Sequence, residues 1–427
     1  MIDSCWGALL LLCLALPAPA QQPPVQAQDP QTPISQTSIT PPGGSGALAS
    51  GPNSTVGQLE EDALAREVVV GIPWLDGALG PYFDWKKTVR NKLGLSFGSD
   101  YTALYQVATS SPGSPEGGAG MWRFFGSWEL VDRDGDWTGS FVFKGENRHG
   151  YGSGNTPFDL GFVIGSAVPT VGPFNDADWL LTNLFWKQQI AGRATLMFGQ
   201  VDPTDYLDVY GLINPWVDFS NLAFLTNPTI PAPNQGLGAA AGVNLTDNFY
   251  LVAGFSDPNA NANEPFDDFF SEGEFFTHGE IGWTSAPDRI YYDNFHITGW
   301  HVDERIAAGV PEGWGLAFSG SWFFEDRWMP FVRAGYSDGG GALLEGMVAA
   351  GFGMLFRKND LLGIGLSWGR PQLEGVKDQY TTEFFYRIQL LPSLAVTPDV
   401  QLIIEPPFNP ERPAVIAVFG IRARLAF

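Results

Sequence analysis

The chain ends with PAVIAVFGIRARLAF, residues Pro413 to Phe427. Every second residue counted back from the end is apolar, whereas the intervening set contains both charged residues, Arg422 and Arg424. A period of two places these two sets on opposite faces of a strand. An apolar face that ends on an aromatic residue is typical of an outer-membrane β-barrel, whose outer face meets lipid and whose inner face meets water. The ending therefore predicts a transmembrane strand with two lumenal arginines.

The same alternation recurs along the chain. It is clearest in the segments Trp122–Leu130, Trp137–Glu146, Val332–Tyr336, Leu362–Gly369 and Tyr380–Leu390. Lipid tolerates no open sheet edge, because unpaired backbone groups are costly there, so these strands predict a closed barrel. Roughly 335 residues, at about 20 per strand and loop, give about 16 strands, a size that encloses an aqueous channel. The predicted fold is all-β: a transmembrane antiparallel β-barrel after a short N-terminal helix or disordered extension. The alternative is a secreted β-sandwich or propeller, which also alternates.

The N-terminus has the features of a secretion signal. Trp6–Leu16 is an apolar run, and Ala18-Pro19-Ala20 is a small-residue cleavage site. Both cysteines, Cys5 and Cys13, lie inside this signal. The mature chain is therefore expected to contain neither disulfides nor thiolate chemistry.

Composition divides the rest of the chain. The stretch after the signal is rich in Pro, Gln, Ser, Thr and Gly and has too few large apolar residues to form a core. We predict a signal peptide at 1–20, a disordered Pro/Gln-rich spacer at 21–57, a short helical or linker segment at 58–81 and a barrel at 82–427. A net charge of −23 argues against nucleic acid as a partner.

Signals for an enzyme are weak. The chain has four histidines. His296 and His301 are five residues apart, so on a strand they would face opposite ways and could not share a metal. We expect no metal, no cofactor and no catalytic residues. A barrel-embedded hydrolase stays an alternative, and it would need Ser, His and an acid to converge.

Several stretches resemble a known family. They are YFDWKKTVRNKLGLSFGSDYTALYQ (Tyr82–Gln106), FGQVDPTD (Phe198–Asp205), FLTNPTIPAPNQGLGA (Phe224–Ala239), YTTEFFYRIQLLPSLAVTPDVQLII (Tyr380–Ile404) and the terminal strand. Together they resemble the carbohydrate-selective outer-membrane porins, the OprB-like family, with Tyr82–Gln106 corresponding to its first strand. The segment Glu405–Pro410 departs from the family, which usually has a shorter turn there. The resemblance implies a barrel in the outer membrane that passes sugars by diffusion.

A sugar-selective pore needs donors and acceptors for hydroxyl groups, and arginine presents five fixed donors. Carboxylates opposite the arginines would set up a transverse field at the narrowest point. The candidates are the charged residues that the alternation turns inward and one aromatic platform: Arg123, Glu129, Arg333, Glu383, Arg387, Arg422, Arg424 and Trp300. One alternative is that these charged residues only keep a wide lumen hydrated and pair across neighbouring strands. The other is that Trp300 belongs to the belt of aromatic residues at the membrane interface.

One long segment is ambiguous. Val201–Gln235 is too long and too rich in proline for an ordinary turn. It is either a loop folded into the pore or an extracellular loop.

The expected partners follow from this interpretation. They are small neutral sugars, outer-membrane lipid, and the barrel-assembly machinery, which would act on the strand that ends at Phe427. The barrel would be a monomer or a homotrimer. A general or anion-preferring porin is the alternative that Arg422 and Arg424 suggest.

Overall fold

The computed structural model describes residues 48, 50–64, 68–71, 73–133, 135–152, 154–266, 270–357, 360–411 and 413–427. The predicted signal peptide and the first part of the predicted spacer, residues 1–47, lie outside the described residues. In the described part the strands β1 to β16, in chain order, are Leu95–Ala108, Glu116–Val131, Gly139–Gly150, Asp178–Ile190, Ala194–Val201, Gly236–Asn244, Phe249–Ser256, Phe276–Thr284, Asn294–Val302, Gly313–Ser321, Trp328–Gly339, Leu344–Leu355, Leu361–Pro371, Gln379–Leu391, Leu394–Ile404 and Val415–Ala426.

The strands form one closed antiparallel barrel. Each strand pairs with its neighbours in the sequence, and β1 pairs with β16 to close the sheet. In this closing seam Asp100 is opposite Ala426 and Ala108 is opposite Val418. The pairing extends to the end of the chain, where the backbone N–H of Phe427 donates to the carbonyl of Ser99 at 2.8 Å. The prediction of a closed barrel of about 16 strands is therefore confirmed.

Four α-helices accompany the barrel in the described residues: α1 is Thr55–Ala63, α2 is Pro73–Leu93, α3 is Pro157–Val163 and α4 is Leu222–Leu225. Single 3₁₀ turns lie at Pro203–Asp205 and Pro287–Arg289. No helix in the described part of the chain is both long enough and apolar enough to cross a membrane.

The assignment of Tyr82–Gln106 to the first strand is wrong for its first half, because α2 continues to Leu93 and β1 begins at Leu95. Arg90 and Lys92 lie in the last turn of α2, where positive charge is favourable. Gly94, with a φ of +73°, then allows the chain to leave the helix.

The predicted helical segment 58–81 also differs from the structure. Helix α1 begins earlier, at Thr55, and α2 extends past residue 81. Ser54 caps α1, because its side chain accepts a hydrogen bond from the N–H of Gly57. Residues 50–57 of the predicted spacer are thus ordered and mostly buried. The division into domains otherwise stays a prediction.

The outer surface of the barrel is apolar, as the alternation predicted. In β16, Phe419 and Ile421 are 52% and 53% exposed, whereas Val418 before them and Arg422 after them are fully buried. The same contrast holds in β11, where Val332 is exposed and Arg333 is buried. A continuous belt of exposed apolar side chains is what a lipid-facing surface requires.

The two ends of the barrel differ. One end, here called the turn end, carries the short connections 191–193, 245–248 and 392–393, as well as the start of β1 and the end of β16. The opposite end, the loop end, carries the long connections 151–177, 202–235 and 257–275.

The connection 202–235, here called the inner loop, folds into the lumen. Its Phe219 packs on two inward-facing strand residues, with ring centroids 4.8 Å from Phe385 and 5.7 Å from Phe331. Tyr210 and Phe224 of the same loop belong to this buried apolar cluster. Each large side chain buried in this way contributes about 1.5–3 kcal/mol. Of the two interpretations of this segment, the loop folded into the pore is therefore correct.

The lipid-facing surface gives a direct test. Ile421 lies near the middle of β16 with its side chain pointing outward. We expect Ile421→Arg to reduce the free energy of folding into lipid vesicles by about 2–4 kcal/mol, because it places a charge on the lipid face. The control is Ile306→Arg, in the connection between β9 and β10, where the side chain is 76% exposed. This control should change the free energy by no more than about 0.5 kcal/mol. Equal losses in both variants, measured by urea unfolding, would contradict the assignment of the outer face.

Candidate functional site in the barrel lumen

Two predicted arginines share one carboxylate inside the barrel. Arg123 on β2 is directly opposite Asp100 on β1, and its Nε donates to Asp100 Oδ1 at 2.8 Å. Arg424 reaches the same carboxylate from β16, with Nε 2.6 Å from Asp100 Oδ2. All three side chains are at most 2% exposed. A buried charge is costly unless it is paired, so the shared carboxylate explains why two arginines can lie here.

Arg333 holds the inner loop to the wall formed by β11. Its guanidinium pairs with Asp208 and donates to the carbonyls of Phe224 at 3.0 Å and Thr226 at 2.8 Å. His296 of β9 lies on the other side of Asp208, with Nε2 3.0 Å from Oδ1. These bonds connect two strands to the loop.

Glu383 and Arg422 bind the inner loop from β14 and β16. The carboxylate of Glu383 on β14 accepts hydrogen bonds from the backbone N–H groups of Ser220 at 2.6 Å and Asn221 at 2.8 Å. Arg422 on β16 donates to the backbone carbonyl of Asp218. Hydrogen bonds to charged groups are about twice as strong as neutral ones, so these contacts fix the loop firmly. The Glu383 carboxylate therefore binds the backbone of the inner loop.

Arg387 on β14 faces two carboxylates. Its Nη1 is 3.2 Å from Asp218 Oδ1 and 3.6 Å from Glu61 Oε1 of helix α1. Burial raises the pKa of Asp218, which belongs to the inner loop, to about 6, although the positive charge of Arg387 opposes this shift. The guanidinium thus links the barrel wall, the loop and the N-terminal helix.

The remaining two candidates lie elsewhere. Trp300 on β9 is 4% exposed and stacks on Phe276 with ring centroids 6.3 Å apart. It lies within the apolar cluster inside the barrel and not on the lipid-facing surface. Glu129 is half-buried near the turn end of β2, and its backbone carbonyl accepts from Arg133 Nε at 2.9 Å.

The structure thus gathers four of the predicted residues on one stretch of wall. Arg123 and Arg424 meet at Asp100, and Arg387 and Arg422 meet at Asp218. These four arginines are here called the arginine wall. They lie on β2, β14 and β16, which belong to the contiguous strands β14, β15, β16, β1 and β2. That they line the path of a solute stays a prediction.

The sequence interpretation missed the acidic partners. Asp100 lies on the inward face of β1, directly opposite Arg123, so the alternation along β1 could have identified it. Asp208 and Asp218 lie in the inner loop, where no strand period exists to orient a side chain. A further pair, Glu146 and Arg148 on β3, is joined by hydrogen bonds of 2.6 and 2.8 Å.

One sequence motif needs its structural context. The run Gly365-Leu366-Ser367-Trp368-Gly369 has the G-x-S-x-G spacing of a hydrolase nucleophile elbow. Such an elbow requires a sharp strand-to-helix turn, whereas this run lies in the middle of β13 and pairs with β12 and β14. The spacing here reflects an alternating strand with small residues on its inner face.

The pairing of Arg333 with Asp208 can be tested by a double-mutant cycle. Arg333→Met leaves the buried carboxylate without its guanidinium, so we expect the free energy of unfolding to fall by about 3–5 kcal/mol. The double variant Arg333→Met/Asp208→Asn removes both charges and should recover a large part of that loss. Urea unfolding in lipid vesicles, followed by tryptophan fluorescence, measures both values. Losses in the double variant that equal the sum of the two single losses would show that the pair is not coupled.

Comparison with known proteins places this barrel in a family. The sequence profile described as carbohydrate-selective porin, OprB family, matches residues 119–322 and 313–427. The high-pH structure of OprB from Pseudomonas putida is 14% identical with a TM-score of 0.65, and the match covers 81% of this chain and 97% of that one. The low-pH structure of the same protein gives 13% identity, a TM-score of 0.48 and coverages of 82% and 97%. A mutant of the porin of Rh. blastica is 12% identical with a TM-score of 0.47, and the match covers 78% of this chain and 100% of that one. Comparison with curated proteins gave no match.

The first of these structures supports the barrel fold, and the profile shows the family. The matched residues extend from β2 to the end of the chain, which is more than half of the sequence. The protein is therefore an outer-membrane porin and not an enzyme. The chain belongs to the OprB family of carbohydrate-selective porins.

Proposed function

We propose that small neutral sugars diffuse passively through this barrel along the arginine wall. The observation that carries this proposal is the placement of the four arginines inside the barrel on three strands of one contiguous stretch. Arg123 and Arg424 share the Asp100 carboxylate, and at Asp218 Arg387 bonds the carboxylate while Arg422 bonds the backbone carbonyl. A guanidinium offers five donors in a fixed plane, and a carboxylate offers only acceptors. Together they can replace the water that a sugar hydroxyl loses in a narrow passage.

The charge balance of the wall favours neutral solutes. Asp100 and Asp218 offset much of the positive charge of the arginines, so an ion gains little net attraction. Two further donors, Arg123 Nη1 and Arg422 Nε, are buried without a hydrogen-bond partner among the described residues. Trp216 of the inner loop stacks on Arg123, with the guanidinium carbon 3.7 Å from the ring centroid. This contact holds the guanidinium plane in place.

Sugar selectivity predicts a specific order of permeation. In liposome-swelling assays, a neutral monosaccharide should enter faster than a zwitterionic amino acid of equal size, because the wall offers donors and acceptors matched to hydroxyls. Empty liposomes and liposomes with a general porin are the controls. Equal rates for the two solutes would rule out sugar selectivity, and a strong anion preference would favour the anion-preferring alternative.

Substitutions in the arginine wall should change passage more than assembly. We expect Arg387→Ala and Arg424→Ala to alter single-channel conductance and the permeation rate of a monosaccharide, because each removes donors from the proposed path. The matched control is Arg370→Ala, whose guanidinium is 52% exposed on the outside of the lumenal network. Folded, heat-modifiable barrel should still be recovered for all three variants, so that conductance and permeation are compared per inserted channel. Unchanged conductance and permeation in both wall variants would remove these residues from the path.

We also propose that the barrel-assembly machinery recognises β16 through its aromatic end. In support, Phe427 continues the closing seam, and its ring lies 6.4 Å from that of Trp122. Deletion of Phe427 should mainly reduce the amount of inserted barrel, which heat-modifiable gel mobility of outer-membrane fractions measures. Full insertion of the truncated chain would contradict this role.

A further inference from the structure

The N-terminal part of the described chain lies inside the barrel. Residues 48 and 50–64, here called the lumenal segment, include helix α1 and the turn before it. Ser50, Ser54, Thr55 and Gln58 are at most 2% exposed. Leu48 belongs to the apolar cluster that the inner loop forms with the strands. The segment is thus packed against both the loop and the wall.

The lumenal segment binds the arginine wall through side chains. The carboxylate of Asp62 accepts two hydrogen bonds from Arg424, at 2.9 and 2.7 Å. Glu61 lies 3.6 Å from Arg387, as described above. Gln58 Oε1 accepts from Arg123 Nη2 at 3.2 Å, so three of the four arginines of the wall contact this one segment. The side-chain oxygens of α1 therefore bind the same guanidinium N–H groups that we propose as donors to solute hydroxyls.

The described residues at the two ends of the lumenal segment both lie near the turn end. Leu48 lies beside Gly242, which is near the turn end of β6: a Cβ built on Gly242 would be 3.5 Å from the Cβ of Leu48. At the other side of the segment, the N–H groups of Val69 and Val70 each donate at 3.0 Å to the carbonyls of Gln389 and Leu390, near the turn end of β14. These contacts make the turn end the direction of withdrawal for the described segment.

We propose that the lumenal segment is an intramolecular plug, in which Gln58, Glu61 and Asp62 occupy the arginine wall and restrict passage until the segment withdraws toward the turn end. The identity of the solute rests on the proposed function. The restriction itself applies to any solute, salt included, so salt conductance tests the plug whether or not sugars are the favoured solute.

Withdrawal also changes the charge of the passage. Glu61 and Asp62 take two negative charges with them, whereas Arg387 and Arg424 stay on the wall. A passage that loses acidic side chains becomes more favourable for anions. Opening is therefore expected to raise conductance and to shift ion preference toward anions.

The first experiment removes the plug. The full chain lacking residues 50–64 is compared in planar bilayers with the unaltered chain and with a matched control lacking an equally long piece of the predicted spacer, residues 26–40. We expect the 50–64 deletion to raise salt conductance several-fold and to move the reversal potential toward anions, and the control deletion to do neither. Equal conductance in all three proteins would overturn the proposal.

The second experiment fixes the plug without removing it, and it applies even if the deletion variant fails to fold. In Leu48→Cys/Gly242→Cys the two Cβ atoms fall within the range of a disulfide. The natural cysteines, Cys5 and Cys13, both lie in the predicted signal peptide. The oxidised double variant should conduct less than the unaltered chain, and reductant should restore its conductance, whereas the single variant Leu48→Cys should not respond. Failure of the disulfide to form under oxidant, or equal conductance before and after reduction, would overturn the proposal.

Discussion

The backbone of a chain in lipid must satisfy its own hydrogen bonds, because no water is present to pair with its N–H and C=O groups. This requirement forces β1 to pair with β16 and leaves no edge in the sheet. Closure in turn separates two surfaces that alternate along every strand. The outer one is free to be apolar, and the inner one collects the charged residues.

Charges gathered inside a barrel are stable only when they are paired. In this protein the partners come from three layers: the strands themselves, the inner loop and the N-terminal helix. Asp100 is a partner within the wall, Asp208 and Asp218 come from the loop, and Asp62 comes from the helix. On the proposed path along the arginine wall, a solute would meet the same ion pairs that fix these layers. Stability and permeation would then depend on the same side chains.

The sequence predicts the inward residues of the strands, where polarity alternates with a period of two. It does not predict their partners in the inner loop and in helix α1, where no such alternation exists. Alternation along β16 and β11 is enough to turn Arg422 and Arg333 inward, and the structure buries both side chains. Their partners in the inner loop could not be predicted, because a loop has no repeat that orients its carboxylates. The helical start of Tyr82–Gln106 does not follow from the family resemblance, and the local signal for it is the positive charge of Arg90 and Lys92, which suits the last turn of a helix. The burial of residues 50–57 could not be predicted, because a run of small polar residues is typical of a disordered spacer and the sequence does not show which residues pack against it.

Passage of sugars along the arginine wall can be tested by measuring the ion current through single barrels while the concentration of a neutral monosaccharide is raised. A sugar that dwells among the guanidinium and carboxylate groups should interrupt the current. A polyethylene glycol of equal size, which lacks the vicinal hydroxyls, should reduce the current only as far as it lowers bulk conductivity. Interruption by the sugar alone is the predicted result, and equal effects of the two solutes would contradict the account.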